Sequence, residues 1–364
     1  MKLKYYNNLD GIRAIAALMV MFFHFFIRIE STDGFLRFLT KISVFGQTGV
    51  TLFFVLSGFL ITRILIATKN TEGFFKNFYL RRTLRIFPLY YLFLFLSYYI
   101  IPILFGTKIP ELNQQLYYYT YLQNFASTFN WDAIGPSHFW SLAVEEHFYL
   151  FWPFIVYLFS NKNLIKIILI IIIGALALRW LMLSEGYQVF YFTFTRFDSL
   201  AIGALLAIIE IEGGFKKRTA KKFAVLLMSL IVPTVIMWTV FTGTGDVYIQ
   251  IFKFLFLSGI YFSLIGMLLC LKEEHFVNKI LRTKFFSFTG KISYGLYVYH
   301  PIVYKLCEHY FEIENVFLRF IFGISFSFLL SVISFYLFES SFLKLKKYFE
   351  YNKKQLVAEP IKAS

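Results

Sequence analysis

Apolar stretches recur along nearly the whole chain, each about as long as a helix needs to cross a hydrocarbon core of ~30 Å. They lie near residues 11–29, 43–66, 84–105, 138–159, 164–183, 196–211, 221–241, 251–271, 290–308 and 315–342. On that length criterion there are about ten of them. The expected fold class is therefore all-α, a polytopic membrane helical bundle of about ten transmembrane helices. Composition points the same way: 58% of residues are hydrophobic, 16% are charged and mean hydropathy is +0.64, far from the averages of soluble chains.

The placement of charge tests this reading, because Lys and Arg gather in alternate loops on the cytoplasmic side of a membrane. The connection from Arg63 to Arg85 holds Lys69, Lys76, Arg81 and Arg82, and the next but one holds Lys162 and Lys166. Lys216, Lys217, Arg218, Lys221 and Lys222 follow, then Lys272, Lys279, Arg282, Lys284 and Lys291, and finally Lys344, Lys346, Lys347, Lys353 and Lys354. Residues 106–137 carry only Lys108 and residues 242–250 carry none. Both termini are thus expected in the cytoplasm.

The net charge of +15 then serves orientation and contact with anionic headgroups of membrane lipids, and a nucleic-acid partner adds nothing to it. Cys270 and Cys307 each lie inside an apolar stretch, which argues against a disulfide framework or a thiolate metal site, and no metal is expected. The first stretch lacks a small-residue cleavage site and reads as a retained span. Residues 1–343 form the expected membrane domain and 344–364 a basic cytoplasmic tail, on the inner leaflet or disordered. No stretch outside the helices leaves room for an appended soluble domain. Residues 106–137 read as a non-helical external loop. Its Tyr117, Tyr118, Tyr119, Tyr121 and Trp131 fit an interfacial aromatic belt better than a sugar-stacking surface.

Ionisable groups inside spans carry the functional signal, since burying them in lipid costs several kcal/mol unless they face the bundle interior. Arg13 and His24 stand eleven residues apart, which on a helix returns to within roughly 20° of one face and covers about 16 Å. A guanidinium at the membrane mouth and an imidazole deep below it suit a long, phosphate-headed acyl carrier. The run Trp140 to Tyr149 places Glu145 and Glu146 side by side, at a depth comparable to that of His24. A carboxylate meeting His24 would orient it as a general base; alternatively Glu145 or Glu146 locks onto Arg196 or another buried cation. Arg82 and Arg85, one turn apart, can clamp phosphate oxygens in bidentate fashion, although topology alone also demands a basic run here. His300, beside Pro301 near the midplane of its span, either shapes an acceptor tunnel or packs. Arg196 and Asp198 either position an acceptor glycan or pair internally. Gly46, Gly49 and Gly58 read as packing glycines.

Six elements taken in order resemble the acyltransferase-3 family of integral membrane acyltransferases, many of which O-acetylate cell-surface polysaccharides. They are Leu9-Asp10-Gly11-Ile12-Arg13 with His24; Gly49 through Leu60, which reads GVTLFFVLSGFL; Arg82 with Arg85; and Ser141-Leu142 with Glu145-Glu146. The last two are Arg196-Phe197-Asp198-Ser199-Leu200-Ala201-Ile202-Gly203 and the run from Gly290 to Pro301. The resemblance implies that His24 is the catalytic histidine and that Arg13, Arg82 and Arg85 engage the acyl donor. It makes acetyl-CoA, delivered from the cytoplasm, the expected donor. The expected acceptor is a polysaccharide or lipid-linked glycan, and the expected location the bacterial cytoplasmic (inner) membrane. Where the family often has Gln after the two glutamates, this chain has His147, a second imidazole near the site. The esterase-like soluble domain of some relatives is not expected here.

The expected reaction is O-acetyl transfer to a sugar hydroxyl, with His24 as base, Glu145 or Glu146 orienting it, the arginines holding phosphate, and Arg196, Asp198 and His300 toward the acceptor. A covalent acyl-imidazole is the variant. The competing class is a membrane transporter or flippase of a glycan or small molecule, which a polar stripe through a bundle also suits; the lack of an inverted repeat speaks against it. A scaffold for glycan assembly would tolerate the loss of His24.

Overall fold

The computed structural model describes residues 6–240 and 246–351, which form helices and connecting turns with no strand. The chain opens with α1 (Asn8–Phe26), α2 (Gly34–Gly46), α3 (Gly49–Thr68) and α4 (Phe74–Phe95), and α4 runs on through a π-helical turn at Leu96–Ile100 into α5 (Ile101–Phe105). Two short helices, α6 (Leu112–Tyr119) and α7 (Gln123–Phe129), precede α8 (Trp140–Leu158), α9 (Asn161–Ser184) and α10 (Phe197–Ile211). The second half contains α11 (Lys217–Val240), α12 (Val247–Cys270), α13 (Phe276–Leu281), α14 (Lys284–Lys291), α15 (Ser293–Tyr310) and α16 (Val316–Ser334). After α16 a second π-helical turn, Phe335–Glu339, leads into α17 (Ser340–Leu345).

Each of the expected spans falls on a helix. Among the described residues, seven helical runs are long and apolar enough by themselves to cross a membrane: Asn8–Phe26, Gly34–Thr68, Phe74–Phe105, Asn161–Ser184, Lys217–Met237, Val247–Cys270 and Val316–Phe349. The three remaining expected spans correspond to α8, α10 and α15. Helix α10 has only 15 residues, whereas α8 is diluted in hydropathy by Glu145, Glu146 and His147 and α15 by His300. All three place polar residues on buried faces inside the bundle. By contrast Ile170, Ile173, Val225 and Met228, on α9 and α11, are 65–70% exposed, the perimeter that lipid covers.

The segment 106–137 departs from its expectation. It is not a loop without structure, because the Glu111 and Gln114 side chains form a reciprocal capping box that starts α6, and this satisfies two otherwise orphaned backbone donors. Tyr118 and Tyr121 are buried, and Tyr90 stacks on Tyr121 at 4.3 Å between centroids, so these rings are core; only Trp131 and its neighbours remain at the surface. The start of the basic tail is helical too, and Arg81 Nη1 donates to the Lys346 carbonyl at 3.0 Å. The rest of that tail, 352–364, lies outside the described residues. The segment 29–43 also holds a helix that hydropathy did not mark, α2, whose exposed Phe35, Phe38, Ile42 and Phe45 fall on one face at helical spacing.

Helix α3 is the axis of the bundle and packs against α1, α8, α10 and α12. Glycines set the closest of these crossings. A Cβ at Gly58 would strike the Leu200 carbonyl of α10, and a Cβ at Gly203 would strike the Val55 carbonyl of α3, so the two backbones touch reciprocally. Gly46 and Gly49 likewise lie against the Met19 and Ala16 carbonyls of α1. The packing role expected for Gly46, Gly49 and Gly58 thus has a geometric basis: small residues allow close helix approach in lipid.

Candidate active site

His24 stands in the last turn of α1, about 24 Å along the axis from Asn8 at 1.5 Å per residue. It faces α15, where His300 is fully buried. The two rings meet: His24 Nδ1 lies 2.8 Å from His300 Nε2. His300 Nδ1 is in turn 2.9 Å from the Leu296 carbonyl. A carbonyl only accepts, so Nδ1 of His300 carries the proton; in a neutral ring its Nε2 then accepts from His24 Nδ1–H. For neutral rings this network, rather than any observed hydrogen, assigns the free lone pair of His24 to Nε2.

A third imidazole completes the cluster. His138, at the entry to α8, is buried with its ring centroid 5.7 Å from that of His300, and its Nε2 is 3.2 Å from the Val298 carbonyl. Sequence reasoning does not single out His138. Its signal was the i, i+3, i+7 spacing with Ser141 and Glu145, which puts all three on one face of the helix.

On the side of the bundle shared with the N-terminus, a cavity of about 110 Å³ opens beneath this cluster. Arg13, Arg82 and Arg85 line it together with Ser57, Ser141, Glu145, Tyr149 and Tyr297. The three guanidinium groups that were expected to act together do converge. Arg13 also pairs with Asp10 at 2.6 Å, which leaves the rest of its fork free to face the cavity. Ser141 Oγ is 2.6 Å from Tyr297 Oη, and Tyr297 Oη donates to the His138 carbonyl at 2.5 Å. Tyr297 therefore walls off the deep end, with its ring centroid 6.0 Å from that of His300.

The carboxylates are placed differently from the expectation. Glu145 accepts from Ser57 Oγ at 2.8 Å and lines the arginine cavity, while His24 donates its hydrogen bond to an imidazole on another helix. Side-chain reach explains the exchange: His300 approaches His24 across a direct α1–α15 contact, whereas Glu145 points toward α3. Oε1 of Glu146 is buried with no hydrogen-bond partner.

His147, one residue further on, lies outside the cluster, with Nδ1 2.9 Å from Thr193 Oγ1; the imidazoles that join His24 are His300 and His138. Arg196 and Asp198 are also buried apart from the cavity. Asp198 pairs with Arg179, both side chains fully buried. Arg196 donates to Thr51 Oγ1 at 3.1 Å, and its guanidinium carbon lies 3.6 Å from the Phe254 ring centroid. Both residues hold helices together, with α9 and α10 joined by the ion pair and α3 and α12 by the arginine.

The fold and this cavity define the class of the protein: a polytopic helical membrane protein with a polar core running from a cationic cavity to a histidine cluster. The chain belongs to the acyltransferase-3 family, whose profile, described as an acyltransferase domain, matches residues 6–336. It is 28% identical over 328 residues to the O-acetyltransferase OatA of Staphylococcus aureus (strain NCTC 8325 / PS 47), an alignment that covers 85% of this chain and 52% of that protein. It is 28% identical over 373 residues to the peptidoglycan O-acetyltransferase OatA of Listeria monocytogenes serovar 1/2a, covering 94% of this chain and 56% of that one. The chain thus spans about half the length of these relatives. No solved structure matches it significantly.

Proposed function

We propose that this protein is a membrane O-acetyltransferase that moves an acetyl group from acetyl-CoA to a hydroxyl of a cell-surface carbohydrate. The observation that carries the reading is the His24–His300–Leu296 chain, which for neutral rings leaves the Nε2 lone pair of His24 free beyond the Tyr297 end of an arginine-lined cavity. In this reading Arg82 and Arg85 hold the donor's phosphates by bidentate contacts, Arg13 assists at the mouth, and the basic-residue pattern makes that mouth cytoplasmic. Its named relatives are O-acetyltransferases, one of them acting on peptidoglycan by name, which supports a cell-wall glycan as acceptor.

The acceptor hydroxyl attacks the thioester carbonyl while His24 Nε2 takes its proton. The tetrahedral intermediate collapses, the C–S bond breaks, and the imidazolium returns the proton to the departing sulfur, so that ester and free thiol are the products. His300 holds the His24 tautomer throughout. Glu145, tethered by Ser57, faces the cationic cavity and balances its charge instead of orienting the base. A donor entering from the cytoplasm and a base near the opposite face also support passage of the acyl group through the protein.

The test uses sealed vesicles loaded with acetyl-CoA and offered glycan only outside. Wild-type protein is expected to acetylate the glycan and release CoA inside, and the His24→Ala variant at equal membrane levels to do neither. Transfer undiminished in that variant would overturn the reading. Glycan movement without CoA release would establish the transporter alternative.

A further inference from the structure

A second cavity, of about 410 Å³, opens on the opposite face of the histidine cluster. Its volume falls within the roughly 300–1,000 Å³ typical of small-molecule clefts. Arg28 from the end of α1, Lys108 from the segment after α5 and Lys305 from α15 all line it, and His138 is in its wall. We propose that this outer cavity is the acceptor site and that it selects a saccharide carrying an anionic group, a carboxylate or a phosphate. The proposal deepens the acetyltransferase reading and rests on it for the word acceptor.

Several observations converge on that assignment. The three cations come from three separate segments, so no single helix face accounts for their meeting. None of them has an ion-pair partner among the described residues, and no Asp or Glu lines the cavity. The stretch 106–137 carries a single basic residue, Lys108, and that one side chain lines this cavity. His138 bridges the cavity to the catalytic pair, since its ring lies 5.7 Å from that of His300, which in turn holds His24. A sugar seated here would direct a hydroxyl toward the histidines while its acidic group met the cations at the rim.

The floor is also preformed. The π-helical turn Leu96–Ile100 brings Ser97 and Tyr98 to the wall, and Tyr98 Oη donates to the Ile134 carbonyl at 2.9 Å. Gly135 leaves no room for a side chain beneath Tyr98 and Tyr118. A π-bulge inserted in a helix recurs at functional sites because it re-aims neighbouring side chains. Here it faces the cavity.

The experiment measures binding to purified full-length protein in detergent and needs no turnover. Three probes are compared: a neutral N-acetylglucosamine oligosaccharide, a soluble glycan of similar length bearing lactyl carboxylates, and a phosphodiester-linked sugar oligomer. At least one anionic probe is expected to bind at least about fivefold tighter than the neutral one, with an advantage that shrinks as salt rises. Whether the carboxylate or the phosphate probe gains identifies the source of the charge. The combined Arg28→Gln, Lys108→Gln, Lys305→Gln variant is expected to abolish that advantage while binding of acetyl-CoA and of the neutral probe is unchanged. Lys305→Glu alone, an exposed substitution that leaves packing intact, is expected to weaken anionic binding below the neutral level. Equal affinity for all probes, or an advantage that survives the triple variant, would overturn the proposal. Anion selectivity together with unimpaired transfer by His24→Ala would instead retain the site and sink the activity reading.

Discussion

The partnership of His24 with His300 makes the sharpest prediction, because it fixes how much each imidazole should matter. Removing the base itself, His24→Ala, is expected to lower transfer by about 10²–10⁴-fold, the usual contribution of a positioned general base. Removing His300 strands the half-buried His24 Nδ1–H, whose one hydrogen bond among the described residues is the 2.8 Å contact to His300 Nε2. Leaving a buried donor unmet costs about 1–3 kcal/mol, and at 1.36 kcal/mol per decade this amounts to a loss of roughly 5–150-fold. His300→Ala should therefore fall between wild type and His24→Ala. His300→Gln keeps an acceptor oxygen near the same place and should recover most of the difference, whereas His300→Leu should not. Since His300 is fully buried, each variant is compared at matched membrane levels and by O-acetyl groups released from surface glycan under mild base. Losses from His300→Ala as great as those from His24→Ala, or a Gln variant no better than Leu, would refute the tautomer argument.

The arginines predict a change in donor affinity more than in turnover. Arg82→Lys and Arg85→Lys keep the charge but lose the planar fork, so KM for acetyl-CoA should rise about tenfold with kcat nearly constant; a fall in kcat alone would contradict phosphate binding. Gly203→Val places side-chain atoms where the Val55 carbonyl of α3 lies, and separating α3 from α10 should cost about 1–3 kcal/mol, visible as a lower melting temperature in detergent. Asp198→Asn breaks the fully buried pair with Arg179 and should destabilise by about 3–5 kcal/mol, with the Arg179→Met, Asp198→Leu double variant regaining much of it. Incubation with acetyl-CoA and no acceptor should leave His24 unmodified by mass spectrometry; an acetylated His24 would establish the acyl-imidazole route.

How far the sequence could be read depended on how local each feature is. Hydropathy and basic-residue alternation are sums over neighbouring residues, so the all-α membrane class and the positions of α1, α3, α4, α9, α12 and α16 were legible without coordinates. So was the convergence of Arg82 with Arg85, one turn apart on a single helix. The short helices of 106–137 were missed because their start is a two-residue capping exchange, Glu111 with Gln114, inside a stretch whose composition reads as loop. Tyr118 and Tyr121 read from sequence as an interfacial belt but are buried, because burial is a property of what packs above a residue, which no residue encodes by itself.

By itself, then, the sequence determined the solvent this chain folds in, the helices it forms and the residues able to do chemistry there, since each follows from side-chain type and spacing along one segment. Which of those residues meet was decided only by tertiary structure. His24 is 276 residues from His300, and the choice of His300 over Glu145 as its partner turns on which helix faces it. The reciprocal glycine contacts at Gly58 and Gly203 dock α10 against α3, and α15 lies directly on α1. Pairing across such distances is set by the packing of whole helix faces, where backbones can approach and where they collide, and that information is shared among segments that no single stretch of sequence contains.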